Sequence, residues 1–264
     1  MARAQELRER YKEAINNLKD ASPLAGYEVR NKLVTTAKND KKSAVRANAI
    51  KQLAIYFNPD STGVHDDELT ELYTEAAKDL SYSVVGEAVF ALSSADYKKA
   101  LELTKSFDVK TQEKLKLTIA RIYAVHGSTE QGEFFIKTYK GLSSYEKYNF
   151  LELYSEYLLR QDDETINRGL KILEDAAINE KVWWARLTAV YRIQKLESLY
   201  QDRGRSLTKE IKTNKSKPEK LKELQDTQLK VNTQIDLITT CLNNIKNQEK
   251  DPRVLQYLGG IHSK

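Results

Sequence analysis

The strongest constraint on this chain is that it repeats itself. The segment Asp40-Lys-Lys-Ser-Ala-Val45-Arg46-Ala-Asn-Ala49-Ile50-Lys-Gln-Leu53 returns 39 residues later as Asp79-Leu-Ser-Tyr-Ser-Val84-Val85-Gly-Glu-Ala88-Val89-Phe-Ala-Leu92. Asp, Val, Ala, a branched aliphatic residue and Leu fall at the same five places. A third copy opens at Glu180 and sets Ala185-Arg186, Ala189, Val190 and Ile193 in those places. The 101 residues from Asp79 to Glu180 divide into three intervals of about 34, with Leu117, Ala120 and Ala124 in one inner helix and Phe150, Leu151, Tyr154 and Leu158 in the next. A repeat of this length is one supersecondary unit that cannot bury its apolar face alone, so copies have to stack. The acid caps a helix start, Ala lets neighbours approach closely, and Val and Leu fill the core between stacked pairs. Val45, Val84 and Ala185 are therefore expected in equivalent seams.

The copies read as helices. Gly and Pro together number 14 in 264 residues, too few for the turn that an all-β chain needs about every 8–12 residues. Apolar residues recur at three and four, as with Leu69, Leu72, Tyr73 and Ala76, behind the acidic first turn Asp66-Asp67-Glu68 that suits the helix dipole. Ser128 with Gln131 and Ser143 with Glu146 have capping-box spacing, and Asp162-Asp163-Glu164 opens a helix carrying Ile166, Leu170 and Leu173. Breaks near 38–43, 58–65, 79–81, 93–96, 107–111, 126–128, 141–144, 161–163 and 178–181 predict about ten helices of roughly 10–20 residues.

The C-terminal part differs. Pro218 in a first turn, with Ser216 and Glu219 as cap, opens a long helix. Its Leu221, Leu224, Gln228, Val231, Ile235, Ile238, Leu242 and Ile245 alternate by three and four, a heptad seam with Gln228 as its polar position. The preceding helix, from Val182 towards Ile211, offers Ile193, Leu196, Tyr200, Leu207 and Ile211 as an antiparallel partner; a dimerising coiled coil is the alternative.

Charge is concentrated in one place. Of 43 Lys and Arg against 38 Asp and Glu, eight bases and two acids lie between Arg203 and Lys222, leaving the remainder at 35 against 36. A nucleic-acid-binding superhelix carries its positive charge as a stripe along the binding face. A local cluster reads instead as a solvated helix–helix connection, so nucleic acid is not the expected partner, and phosphate binding through Arg203–Lys222 stands as a third reading behind scaffold and adaptor. No run has the ~18 apolar residues of a membrane span, and Met1–Arg10 lacks the apolar stretch of a secretory signal. A soluble chain is expected, cytoplasmic or periplasmic according to its parent.

Catalytic chemistry is not visible. His65, His126 and His262 stand far apart, and none belongs to a His-Glu-x-x-His helix. Cys241 is the one cysteine, which excludes an internal disulfide and a Cys-based zinc knuckle. Asp66/Asp67 and Asp162/Asp163 stand at helix starts, where capping accounts for them. The glycines Gly127, Gly132, Gly204, Gly259 and Gly260 lack phosphate-loop spacing. Tyr73, Tyr123, Tyr148 and Tyr154 fall on apolar helix sides and read as core. No residue is assigned a catalytic, cofactor-binding or metal-binding role.

The Asp-x-x-x-x-Val-Arg-x-x-Ala-Ile/Val-x-x-Leu pattern resembles the second helix of a HEAT repeat. Tetratricopeptide stacking is the rival by its period, but its Trp and Leu-Gly signature is absent. Over Tyr27–Arg203 the chain resembles the C-terminal helical domain of aminopeptidase N-type zinc metallopeptidases. The residues that carry this are Val45-Arg46-Ala47-Asn48-Ala49-Ile50, Asp79 to Val85, Ala120 to Gly127 leading to Phe134-Phe135, and Glu249-Lys-Asp-Pro252. The resemblance implies an all-α fold, an α-α superhelix of HEAT/armadillo-like repeats ended by a long antiparallel helical hairpin. It implies a lead helix in 1–22 joining a preceding domain, repeats over 23–203 and a capping hairpin over 204–264. In that family the helical domain curves over the catalytic domain and restricts peptide access. The family's His-Glu-x-x-His is missing, and so is its Gly-x-Met-Glu-Asn strand, since Met1 is the only methionine. The expectation is a non-catalytic part of a larger zinc aminopeptidase-like protein, whose zinc and active site lie in another domain. Its partner is then its own catalytic domain, with peptides on the concave face. The alternative is a free-standing HEAT-repeat adaptor for a protein or peptide.

Overall fold

The computed structural model describes residues 23–57, 66–107, 115–214 and 217–259. Among these residues are twelve α-helices and no strand. Contacts group them into two compact units, Met1–Ile122 and Tyr123–Lys264. The lead helix expected before residue 23, the cap at Ser216, and His65 and His262 lie outside the described residues.

The first unit holds α1 (Pro23–Asn39), α2 (Ser43–Tyr56), α3 (Asp67–Ala76), α4 (Tyr82–Ala95), α5 (Tyr97–Lys105) and the start of α6 (Lys116–His126). Helix α2 packs on α1 and on α4, and α4 packs in turn on α3 and α5. The repeated positions explain this arrangement: Ala49, Ile50 and Leu53 in α2 and Ala88, Val89 and Leu92 in α4 are all withdrawn from water. Burying each such large aliphatic side chain contributes about 1.5–3 kcal/mol. Asp66 caps α3 by accepting from the Leu69 amide at 3.0 Å. Leu69, Leu72 and Tyr73 are then buried as their spacing predicts, and Ala76 is half-buried.

The second unit holds α7 (Gly132–Tyr139), α8 (Ser144–Leu158), α9 (Asp163–Asn179), α10 (Trp183–Thr213), α11 (Pro218–Gln248) and α12 (Pro252–Gly259). Helix α10 lies at its centre, packed on α8, α9, α11 and α12. The capping boxes at Ser128/Gln131 and Ser143/Glu146 form, and Asp162 caps α9 through the Thr165 amide. Phe135 stacks on Tyr154 at 5.0 Å and meets Phe150 at 5.3 Å, making an aromatic core under α7 and α8. Gly169 lets α9 approach α8 closely, since a Cβ there would lie 2.4 Å from Leu158 Cδ2.

Two 31-residue helices, α10 and α11, take up the long helices expected from Val182 towards Ile211 and from Pro218 to Ile245, because their apolar seams continue without a breaker. Thr208 meets Gln228, Glu197 meets Thr239 and Arg186 meets Glu249, so the two run antiparallel. Leu224, Val231, Ile238, Leu242 and Ile245 of the predicted seam are buried, Leu221, Gln228 and Ile235 only partly, while Gln234 and Cys241 are buried as well. Gln234 donates to Asn167 of α9, which shows that α11 buries a second stripe against α9. Most of the basic stretch 203–222 is helical rather than a connection: 203–213 end α10 and 218–222 open α11.

Two expectations about exposure need correction. Val84 and Ala185 are fully buried, but Val45 is 38% exposed. Val84 and Ala185 stand in helices with an earlier member alongside, α2 beside α4 and α8 beside α10, whereas α2 is the first such helix in the described chain. Tyr73, Tyr123 and Tyr154 are core residues, but Tyr148 is exposed at 40%.

Candidate functional site

The sequence repeat becomes a repeated joint. In α2, Arg46 Nη1 donates to its own copy's opening carbonyl, Asp40 O, at 2.8 Å. The same guanidinium reaches forward to the residue that opens the next copy, donating from Nε and Nη2 to the Asp79 carboxylate at 3.0 and 2.9 Å. Arg186 in α10 does likewise: Nη1 donates to Glu180 O at 2.8 Å, while Nε and Nη2 donate to Glu249 at 2.8 and 3.2 Å. A planar guanidinium grips both carboxylate oxygens while a third N–H serves the carbonyl, a fixed geometry that the point charge of a lysine does not impose. Lys147 in α8 makes the simpler version, with Nζ on Glu180 Oε1 at 2.7 Å, and Tyr139 donates to the same oxygen at 2.7 Å.

The Lys147 contact fixes the register of a copy that the sequence left loose. Lys147 precedes Glu180 by 33 residues, as Arg46 precedes Asp79. Phe150, Leu151 and Tyr154 then match Ala49, Ile50 and Leu53, and all six are buried. The copy therefore opens at Gly141, 39 residues before Glu180, rather than near the spacing of about 34. Glu249 opens yet another copy, with the buried Val254 at the place of Val84. The signal that could have found it was present: an acid followed five residues on by a branched aliphatic. The tracked pattern required an Arg next, and Leu255 stands there.

Electrostatics follow the joints. Burial works against the charge of Asp79, but hydrogen bonds from Arg46 and the Ser81 amide outweigh it and hold its carboxyl below the ordinary range. Glu249 shows the same balance, with Arg186 and the amides of Asp251 and Lys250 overcoming burial. Asp251, hydrogen-bonded by Arg253, is held at about 2. Burial, reinforced by Glu180, pushes the Tyr139 hydroxyl well above its usual value, so it stays a donor.

In the second unit aromatic side chains of three helices meet in pairs. Tyr148 of α8 meets Trp184 of α10 edge-on at 5.8 Å, and Tyr191 of α10 lies 6.4 Å from Tyr257 of α12. Arg253 sits 4.0 Å over the Trp183 ring. Tyr145 is 74% exposed. Arg192, buried beside this row, pairs with Glu152 at 2.7 Å, while its Nε has no hydrogen-bond partner among the described residues. A groove of about 460 Å³ runs between α10 and α12, lined by Tyr191, Gln194, Lys195 and Tyr257. A larger one, about 610 Å³, lies between α9 and α11 and is lined by amides, among them Asn167, Asn243, Asn244 and Asn247.

The chemical candidates of the sequence are not brought together. Asp66 and Asp162 cap their helices, and Asp163 accepts from Tyr200 at 2.5 Å. Burial pushes the Cys241 thiol up to about 12, far from nucleophilic at neutral pH. Among the described residues no group of three His, Cys, Asp or Glu side chains is placed to hold a metal ion, and no helix is long and apolar enough to cross a membrane. Comparison with protein families, curated proteins and solved structures finds no match to this chain.

Proposed function

We propose that this chain is a non-catalytic scaffold of HEAT-like repeats, an α-α superhelix ended by the α10–α11 hairpin. In this reading it serves as the C-terminal helical domain of a zinc aminopeptidase-like protein, bracing the catalytic domain and restricting peptide access. The observation that carries it is the joint itself. Arg46 and Arg186, in separate units, bind their own opening carbonyl and the next opening acid with the same atoms. Such a joint locks neighbouring copies at a fixed angle, which suits a brace and supplies no reacting group.

The experiment is direct. The purified chain is expected to hold no stoichiometric zinc and to hydrolyse no aminoacyl anilide. Zinc at one equivalent, or turnover that survives repurification, overturns the scaffold reading. The exposed Tyr145 and Tyr148 of α8 and Tyr191 of α10 favour a second reading, a free-standing adaptor that takes a peptide or protein partner there. A catalytic domain encoded in frame upstream of Met1 selects the first reading, and a stop codon there selects the second.

A further inference from the structure

The basic stretch 203–222 plays no part in the joints, and its surroundings differ from the rest of the second unit. From Trp183 to Tyr200, α10 buries nine residues on several sides, including Ala185, Val190, Ile193 and Leu196. From Gln201 to Thr213 it buries only Gly204 and Leu207. Both turn to α11: a Cβ on Gly204 would meet Gln228, Val231 and Ile235, and Thr208 next to Leu207 donates to Gln228. The N-terminus of α9 stops at Tyr200, through Asp163. Beyond that point α10 and α11 form a two-helix arm for about 20 Å, at 1.5 Å per residue.

The arm carries most of the protein's excess charge, since residues 201–233 hold nine Lys and Arg against five Asp and Glu, where the whole chain is +5. Arg205, Lys209 and Lys212 follow one another at four and three, one stripe of α10, and all are exposed. Lys217 at the cap of α11 and Lys220 and Lys222 within it are exposed, and the register that sets Thr208 against Gln228 brings them to the same end as Lys212. Arg205 is paired with Asp202, while Lys209, Lys212, Lys220 and Lys222 lie open to a ligand in water.

We infer that this arm docks on the phosphate backbone of duplex nucleic acid. The composition of the arm selects that polyanion over others. Residues 201–233 contain no aromatic side chain, whereas single strands are held by stacking bases on aromatic rings. Leu207, Leu224 and Val231 are used up in the seam, and only Leu229 is a large exposed apolar residue on the arm among those described. A membrane-bound helix pair needs an apolar face to insert beside its lysines. What remains is a set of point charges spaced about 5–6 Å apart, suited to phosphate contacts without base reading.

The test uses the full chain and a 30-base-pair duplex labelled for anisotropy, titrated from about 50 to 200 mM salt. Binding is expected to weaken linearly in log–log form, with about 0.9 of slope for each phosphate neutralised. Lys209→Gln, Lys212→Gln, Lys220→Gln and Lys222→Gln combined should flatten the slope by about 3–4. The control replaces the exposed Lys41, Lys42, Lys98 and Lys99 by Gln and should leave it unchanged. Because the arm variant has a folding requirement, a second measurement uses the wild type: duplex should protect Lys209, Lys212, Lys220 and Lys222 from acetylation. Equal losses in both variants overturn the proposal. So do unprotected arm lysines, or binding to phosphatidylserine vesicles without binding to duplex.

Discussion

The joint in the first unit and the joint that closes the second use the same chemistry at different depths. Arg46 reaches Asp79 across 33 residues, and Arg186 reaches Glu249 across 63. The Asp79 side chain keeps 16% of its surface in water, the Glu249 side chain 3%. The longer interval contains the outer end of α10 and all of α11, which leave the body and return to the same contact. Doubling a closed interval costs only about 0.6 kcal/mol in chain entropy. A joint defined by an arginine fork thus tolerates a long excursion, provided the excursion packs on itself, and α10 and α11 do. The depth of the acid then sets how strongly each joint is felt.

The largest effects should come from the seam beside each joint, and they should be alike. Leu53 and Ile193 occupy the same repeat position and are both fully buried. Leu53→Ala and Ile193→Ala should each lose about 2–5 kcal/mol, read from denaturant midpoints. A harmless substitution at one site and a severe one at the other breaks the equivalence of the seams.

Next come the joints, where the two units should part. Arg186→Met leaves the Glu249 carboxylate buried with only two amides to satisfy it, and about 3 kcal/mol should be lost. Adding Glu249→Gln should recover part of that loss, because the uncompensated charge is gone. Arg46→Met should shift the midpoint less, because water reaches the Asp79 carboxylate. Equal shifts for the two arginines would show that depth does not set the strength of the joint.

Much of this was legible in the residues. The helices, their breaks and the caps at Asp66, Asp162, Ser128 and Ser143 follow from local chemistry that needs no tertiary information. The repeated Arg at 46 and 186 was visible as a letter in a pattern, but its partner was not. Asp79 and Glu249 lie at different separations, and no periodicity ties Arg186 to an acid 63 residues away. The copy around Lys147 was misplaced because Lys stands for Arg and Gly141 for Asp, so the two most specific letters are absent. Gln234 escaped the heptad because it faces α9, a neighbour that a two-helix seam does not contain. The exposed Tyr148 was read as core because an aromatic residue at helical spacing carries no label for which side has a neighbour.

The smallest and most diagnostic difference lies in acid titration. Asp79 and Glu249 both have folded-state pKa values below the ordinary range. Around pH 4, where free carboxylates titrate, the unfolded chain takes up protons that the folded chain refuses. Stability contributed by the two joints is therefore complete above that pH and is lost as pH falls towards the folded values. Urea midpoints measured from pH 6 to pH 3 should fall along this limb for the wild type. Asp79→Asn should remove a small share of the slope and Glu249→Gln a larger one, because the more deeply covered carboxylate depends more on staying charged. Asp251, 3.8 Å from Arg186 and likewise held below the ordinary range, adds to the same limb in the wild type and in both variants, so each variant is read as its difference from the wild type. If both variants retain the full wild-type slope, the forks are not coupled to folding, and the depth of the acid does not decide how hard the two units are held.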